Sequence, residues 1–143
     1  WELDENGEPI EPETSCQIYR TYGFALDNWT IDTSESVMQP SELDKAGVSS
    51  SSIIEYDDVQ YMFYIGFTSW IQNGSIQIAD GMSLNLATSI DNGQTWIKDE
   101  NNPLLSSTVS NVSAQVVDDR IHVWLLEQLE NSTKVNYYIY NPN

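Results

Sequence analysis

Residues 89–96 read Ser89-Ile90-Asp91-Asn92-Gly93-Gln94-Thr95-Trp96, and this stretch decides how the chain is built. Asp-Asn-Gly between strand-like segments is a tight hairpin corner. The Asp91 carboxylate can take backbone N–H groups two or three residues on, while Gly93 supplies a positive φ that most side chains resist. The Ser89 and Thr95 hydroxyls can satisfy further turn groups, and Trp96 is free to wedge beneath the turn. Ser89, Asp91, Gly93, Thr95 and Trp96 thus form a folding motif.

The flanking sequence is strand throughout. Gln60-Tyr61-Met62-Phe63-Tyr64-Ile65-Gly66-Phe67 is nearly continuous in apolar and aromatic residues, as in a strand covered on both faces. It follows Ser51 to Glu55 across a Tyr56-Asp57-Asp58 turn, which predicts a hairpin. A loop carrying Asn73-Gly74 leads to a third strand, Met82 to Ile90, and the corner turns into a fourth around Thr95 to Lys98. No segment sustains a 3.6-residue period, so almost no helix is predicted.

The unit repeats. Ser52 to Asp58 aligns with Ser113 to Asp119, sixty-one residues on, and in that register Tyr61 falls on His122 and Phe63 on Trp124. A fainter echo lies upstream, where Ala25 to Trp29 is similar to Ala87 to Trp96 with the corner shortened. Repeated four-stranded units with a long crossing to the next are the pattern of propeller blades. The expected division is an acidic extended arm over 1–15 and a propeller-like β domain over 16–143, with blade repeats at about 16–45, 46–105 and 106–143.

Composition sets limits. Five Lys+Arg against 22 Asp+Glu give a net charge of −17, which excludes a basic surface for nucleic acid or anionic membrane. With 40 % hydrophobic residues the chain can build a core. It has no apolar run long enough to span a membrane as a helix, so no membrane insertion is expected. Cys16 is the lone cysteine, which rules out an internal disulfide and reads as a small buried hydrophobe. Glycosylation sequons at Asn28, Asn73, Asn111 and Asn131 favour a secreted or cell-surface protein. Trp1 to Thr14 has no signal-peptide pattern, so that reading expects the signal already removed. Asn111, preceding an inner strand, is expected to be the least accessible sequon.

Tyr61 to Gly66, Leu86 to Lys98 and Asn102 to Leu105 resemble the blade pattern of five-bladed propeller glycoside hydrolases of families 43, 32 and 130, and the corner resembles the Asp-box of sialidases. The resemblance spans roughly residues 16–140 and implies an incomplete five-bladed propeller or one completed by other chains. It also implies carbohydrate as a partner, and protein partners or self-association to close the ring. Such enzymes place carboxylates at the start of the innermost strands. The matching stretches here are Ser50 to Ser52 and Asn111 to Ser113, which hold no acid.

Glycoside hydrolysis needs two carboxyls about 5 to 9.5 Å apart. The candidates are Glu55, Asp57, Asp58, Asp80, Asp118 and Asp119, and both Asp-Asp pairs fall at turns, where Asp is a turn former. The lone histidine, His122, lies mid-strand and reads as packed against a neighbour. Asp91-Asn92-Gly93 lacks the alternating ligands and distal Glu of a calcium loop. No catalytic residue, metal or cofactor is therefore expected. Trp70, beside a polar loop, and Trp124 are candidate glycan contacts, although aromatics in blades are usually core. The expected function is an extracellular, carbohydrate-associated propeller module, non-catalytic by itself. The alternatives are part of a glycosidase whose acids lie on other blades, and a structural or adhesion module of a cell surface, filament or virion.

Overall fold

The computed structural model describes Glu5, residues 17–18, 20–25, 28–32 and 36–142, with backbone alone over 20–25 and 28–32. The proposed acidic arm (apart from Glu5), Cys16 and the Asn28 side chain lie outside the described residues. The fold is all-β and antiparallel, with no helix among the described residues.

A hairpin of β1 (Arg20–Ala25) and β2 (Asn28–Asp32) comes first. The first large sheet runs β3 (Gly47–Tyr56), β4 (Val59–Phe67) and β7 (Ser83–Ser89), edged by β8 (Ile97–Lys98) and β9 (Leu105–Ser106). Both edge pieces pair antiparallel with β7, so residues 97–106 act as an interrupted fourth strand. Asn102 bridges the interruption: its amide donates to the Leu86 carbonyl at 2.8 Å and accepts the Leu86 N–H at 2.9 Å. The second sheet is a meander of β10 (Val109–Val117), β11 (Arg120–Leu129) and β12 (Ser132–Tyr140).

The turns explain why the hairpins form. Asp57 and Asp58 have φ of 54° and 60°, and Asp118 and Asp119 have 47° and 58°. Two consecutive residues in the left-handed region match the right-handed strand twist of a two-residue hairpin, and Asp tolerates that region better than most residues. The predicted hairpin and its repeat therefore share one turn geometry. The first strand of each large sheet, β3 and β10, carries a bulge near its start, at Ser49/Ser51 and Val109/Asn111.

One prediction is corrected. The Asn73-Gly74 segment, expected as a loop, is a second hairpin of β5 (Ser69–Asn73) and β6 (Ile76–Asp80), turning at Gly74 with φ 63°. Its apolar residues Ile71, Ile76 and Ile78 are exposed, so burial gave no period to read in the sequence.

β4 is buried from Tyr61 through Phe67, as its sequence predicts. Tyr61, Phe63 and Ile65, with Leu84 and Leu86, pack on Val109, Val112, Ile121, Val123 and Leu125 of the second sheet. At about 25 cal/mol per Å² of apolar area, a core of ten such side chains is the main force joining the sheets. On the opposite face of the first sheet, Met62, Tyr64 and Ala87 pack with Met38 and Trp96. Between the sheets, Leu84, Leu104, Leu105, Leu125, Tyr138 and Tyr140 line an open cavity of about 260 Å³.

Candidate functional site: the open face of the second sheet

Alternation along β11 sends Ile121, Val123 and Leu125 into the core and His122, Trp124 and Leu126 to the other side. Cross-strand pairing adds Ile139, Tyr137 and Val135 of β12, and Gln115, Ser113 and Asn111 of β10, to that same side. None of these nine residues carries a formal charge at neutral pH, in a chain of net charge −17. Val135, Tyr137 and Ile139 are 64 %, 50 % and 41 % exposed. The surface is thus mainly aromatic and aliphatic, with Arg120 at its end, two residues before His122 on β11.

Its centre is an aromatic trio. His122 stacks on Trp124 with centroids 6.0 Å apart and planes 22° apart, and Tyr137 lies 5.6 Å from each ring. The imidazole Nε2–H donates to the Val117 carbonyl at 3.2 Å, which leaves Nδ1 to accept from the Tyr137 hydroxyl at 2.5 Å. Both ring nitrogens are thus engaged in positioning the ring. From sequence, His122 reads as mid-strand and packed against a neighbour, and Trp124 as a candidate glycan contact. Their ring neighbours here are each other and Tyr137 of the same sheet, whose place depends on the β11–β12 register.

Trp70 sits elsewhere. Its half-buried ring meets Phe67 edge-to-face at 4.9 Å, and its indole N–H is buried without a hydrogen-bond partner among the described residues. Gln72 and Gln77 pair directly across the β5–β6 hairpin and share its face with Trp70. Trp70 and Trp124 are therefore parts of different surfaces.

The corner at 89–96 is saturated by its own chain. Asp91 Oδ1 accepts from the Ser89 hydroxyl (2.8 Å) and from the Gln94 and Thr95 N–H groups (3.0 and 2.9 Å); Oδ2 accepts from the Thr95 hydroxyl at 2.6 Å. The backbone partners are three and four residues on, one further than expected. The Gly93 N–H donates to Ser89 Oγ at 2.9 Å, and Gly93 has φ 76°. The Thr95 hydroxyl first, then the Thr95 N–H and the Ser89 hydroxyl, hold the Asp91 carboxyl down at about 2. Trp96 packs beside Met62 and Ala87.

The remaining carboxylates are dispersed. Asp57, Asp58, Asp118 and Asp119 form the two hairpin turns, Glu55 is exposed on β3, and Asp80 ends β6. No group of three or more His, Cys, Asp or Glu that could hold a metal occurs among the described residues. Between β3 and β10, Ser50 Oγ accepts the Val112 N–H at 3.1 Å and Ser52 Oγ accepts the Ala114 N–H at 2.8 Å. These hydroxyls tie β3 to β10. Asn73, Asn111 and Asn131 are all exposed. Asn111, expected as the least accessible sequon, is exposed, and no described strand packs over its sheet face.

The structure also shows a buried acid that the sequence did not reveal. Asp44, 2 % exposed, accepts from the Ser41 N–H and hydroxyl, the Tyr64 hydroxyl (3.1 Å) and Lys98 Nζ (2.6 Å). It fastens the 41–47 turn to β4 and β8, and with every lone pair engaged it is a structural staple. Burial, and then the Asp44 charge, push the Tyr64 hydroxyl well above its ordinary value.

No protein-family model matches the chain, and no curated protein matches it.

Proposed function

We propose that this chain is a propeller-type module of an extracellular, carbohydrate-associated assembly, built of consecutive blades and without catalysis of its own. The supporting observation is the use made of the inner strands. Where the resembled hydrolases carry carboxylates, this chain carries Ser50 and Ser52, whose oxygens accept backbone N–H groups of the next sheet. A missing catalytic acid or base removes about 10²–10⁴-fold of rate, and a missing nucleophile removes the covalent route. Carbohydrate enters through the resemblance, with Trp70 and its flanking Gln72 and Gln77 as the contact, since stacking with amide hydrogen bonds suits a sugar ring. Trp124 belongs to the open sheet face and serves assembly.

A glycosidase panel run beside a glycan array on the purified chain tests this reading. The expected result is no turnover, with glycan retention that Trp70→Ala abolishes. Robust hydrolysis lost on Glu55→Gln would overturn the non-catalytic assignment. Silence in both assays would leave the structural or adhesion role.

A further inference from the structure

We propose that the open face of the second sheet is a docking surface for a third antiparallel sheet, supplied by a partner polypeptide and held as the second sheet is held on the first. The proposal rests on the repeating-sheet reading above and identifies the partner's chemistry.

The chain contains its own template. In the repeat register Tyr61, Phe63 and Ile65 of β4 correspond to His122, Trp124 and Leu126 of β11. Through their strand partners, Leu84 and Leu86 of β7 correspond to Val135 and Tyr137 of β12. Every one of the first set is packed against the second sheet. Every one of the second set faces outward. The step that carries the first sheet onto the second therefore carries an existing interface onto the open face.

The hydrogen bonds follow the same step. Ser50 and Ser52 accept from Val112 N–H and Ala114 N–H. Their equivalents are Asn111 and Ser113, both exposed and without a side-chain partner among the described residues. They stand as two acceptors for backbone N–H groups at alternate positions of an incoming inner strand. The occupant is thus specified: an inner strand with two such N–H groups free, and aliphatic residues placed as Val112, Ile121, Val123 and Leu125 are. The one charged residue on this face among the described residues is Arg120 at its end, so a basic partner gains nothing there despite the chain's acidity. A second copy of this chain is a poor occupant, because the face it would have to offer, Met62, Tyr64 and Ala87, is already covered by Met38 and Trp96.

The test extends the full chain after Tyr140 with a second copy of its own residues 90–143. This supplies a corner, edge strands for β12 and a third sheet of known face. Amides of the added inner strand equivalent to Val112 and Ala114 should exchange at least about 10-fold more slowly than in an unfolded chain. Asn111→Ala with Ser113→Ala should remove much of that protection. Trp124→Glu should lower the melting temperature far more in the extended chain than in the 143-residue chain. Added residues that exchange at unfolded rates, or an equal Trp124→Glu effect in both chains, would sink the proposal. A concentration-dependent dimer of the 143-residue chain abolished by Trp124→Glu would reassign the face to a second copy. If Ser50→Ala with Ser52→Ala leaves exchange at Val112 and Ala114 unchanged in the 143-residue chain, the repeating-sheet reading itself fails.

Discussion

Ser52 Oγ accepts the backbone N–H of Ala114 at 2.8 Å, joining two sheets that share no backbone ladder. With the matching bond from Val112 to Ser50, it fixes the register of β10 on β3, and so decides which apolar side chains meet in the core between them.

Replacing Ser50 and Ser52 together by Ala should destabilise the chain by about 1–3 kcal/mol, because two half-buried N–H groups lose their acceptors. Urea unfolding checks this, with the loss appearing as a lower midpoint at unchanged slope.

Asp91 gives a pH signature. Its folded-state value of about 2 lies below its ordinary 3.8, so the corner's contribution is complete above about pH 5 and drains away as pH falls toward 2. Asp91→Asn should remove that part of the acid sensitivity, and parallel thermal melts between pH 5 and pH 2 should converge at the acid end. Trp96→Ala should cost about 2–4 kcal/mol at any pH, somewhat below the full value for a deeply buried Trp.

Asp44→Ala should be among the most damaging single changes, at about 3–5 kcal/mol, since it strips partners from Lys98, the Tyr64 hydroxyl and the Ser41 N–H at once. Lys98→Met should cost less, because the other donors to Asp44 remain. Tyr64 favours its neutral form in the fold, so its contribution holds below about pH 10 and is lost as pH rises beyond it. Tyr64→Phe should therefore flatten the alkaline limb of a stability–pH curve.

Expression through a eukaryotic secretory pathway should yield glycan at Asn73 and Asn131, both exposed beside hairpin turns. Peptide mass mapping reads this directly. Unmodified asparagine at both positions would count against the extracellular reading.

The hairpins, the corner and the doubly buried β4 were legible because their signals are local: Asp-Asp and Asp-Asn-Gly turn chemistry, and an unbroken apolar run. The pairing of Ser52 with Ser113 sixty-one residues on marked the repeat, though not that the Ser52 hydroxyl would join the sheets. The β5–β6 hairpin was hidden because its isoleucines face outward and follow no burial period. Asp44 was hidden for another reason. An acid in Ser-Glu-Leu-Asp reads as surface until Lys98 and Tyr64, 54 and 20 residues away, close over it. The aromatic trio was half legible, since Tyr137 joins His122 and Trp124 through a register no short motif specifies.

The left-handed Asp pairs at the hairpin turns have an electrical consequence. Tyr56 donates to the Asp119 carbonyl at 3.4 Å, so the turns at 57–58 and 118–119 stand close together on one rim. The Asp119 charge raises the Tyr56 hydroxyl, with Asp57 adding to it, and burial first, then Asp57, raises Tyr61. Any further sheet built on the same turn would bring another two carboxylates to that rim. Growth of such an array would work against its own accumulating field, and ionic strength would then control its length. At about 0.15 M salt the screening distance is roughly 8 Å, short enough to mute neighbour-to-neighbour repulsion, whereas dilute buffer would favour the shorter array.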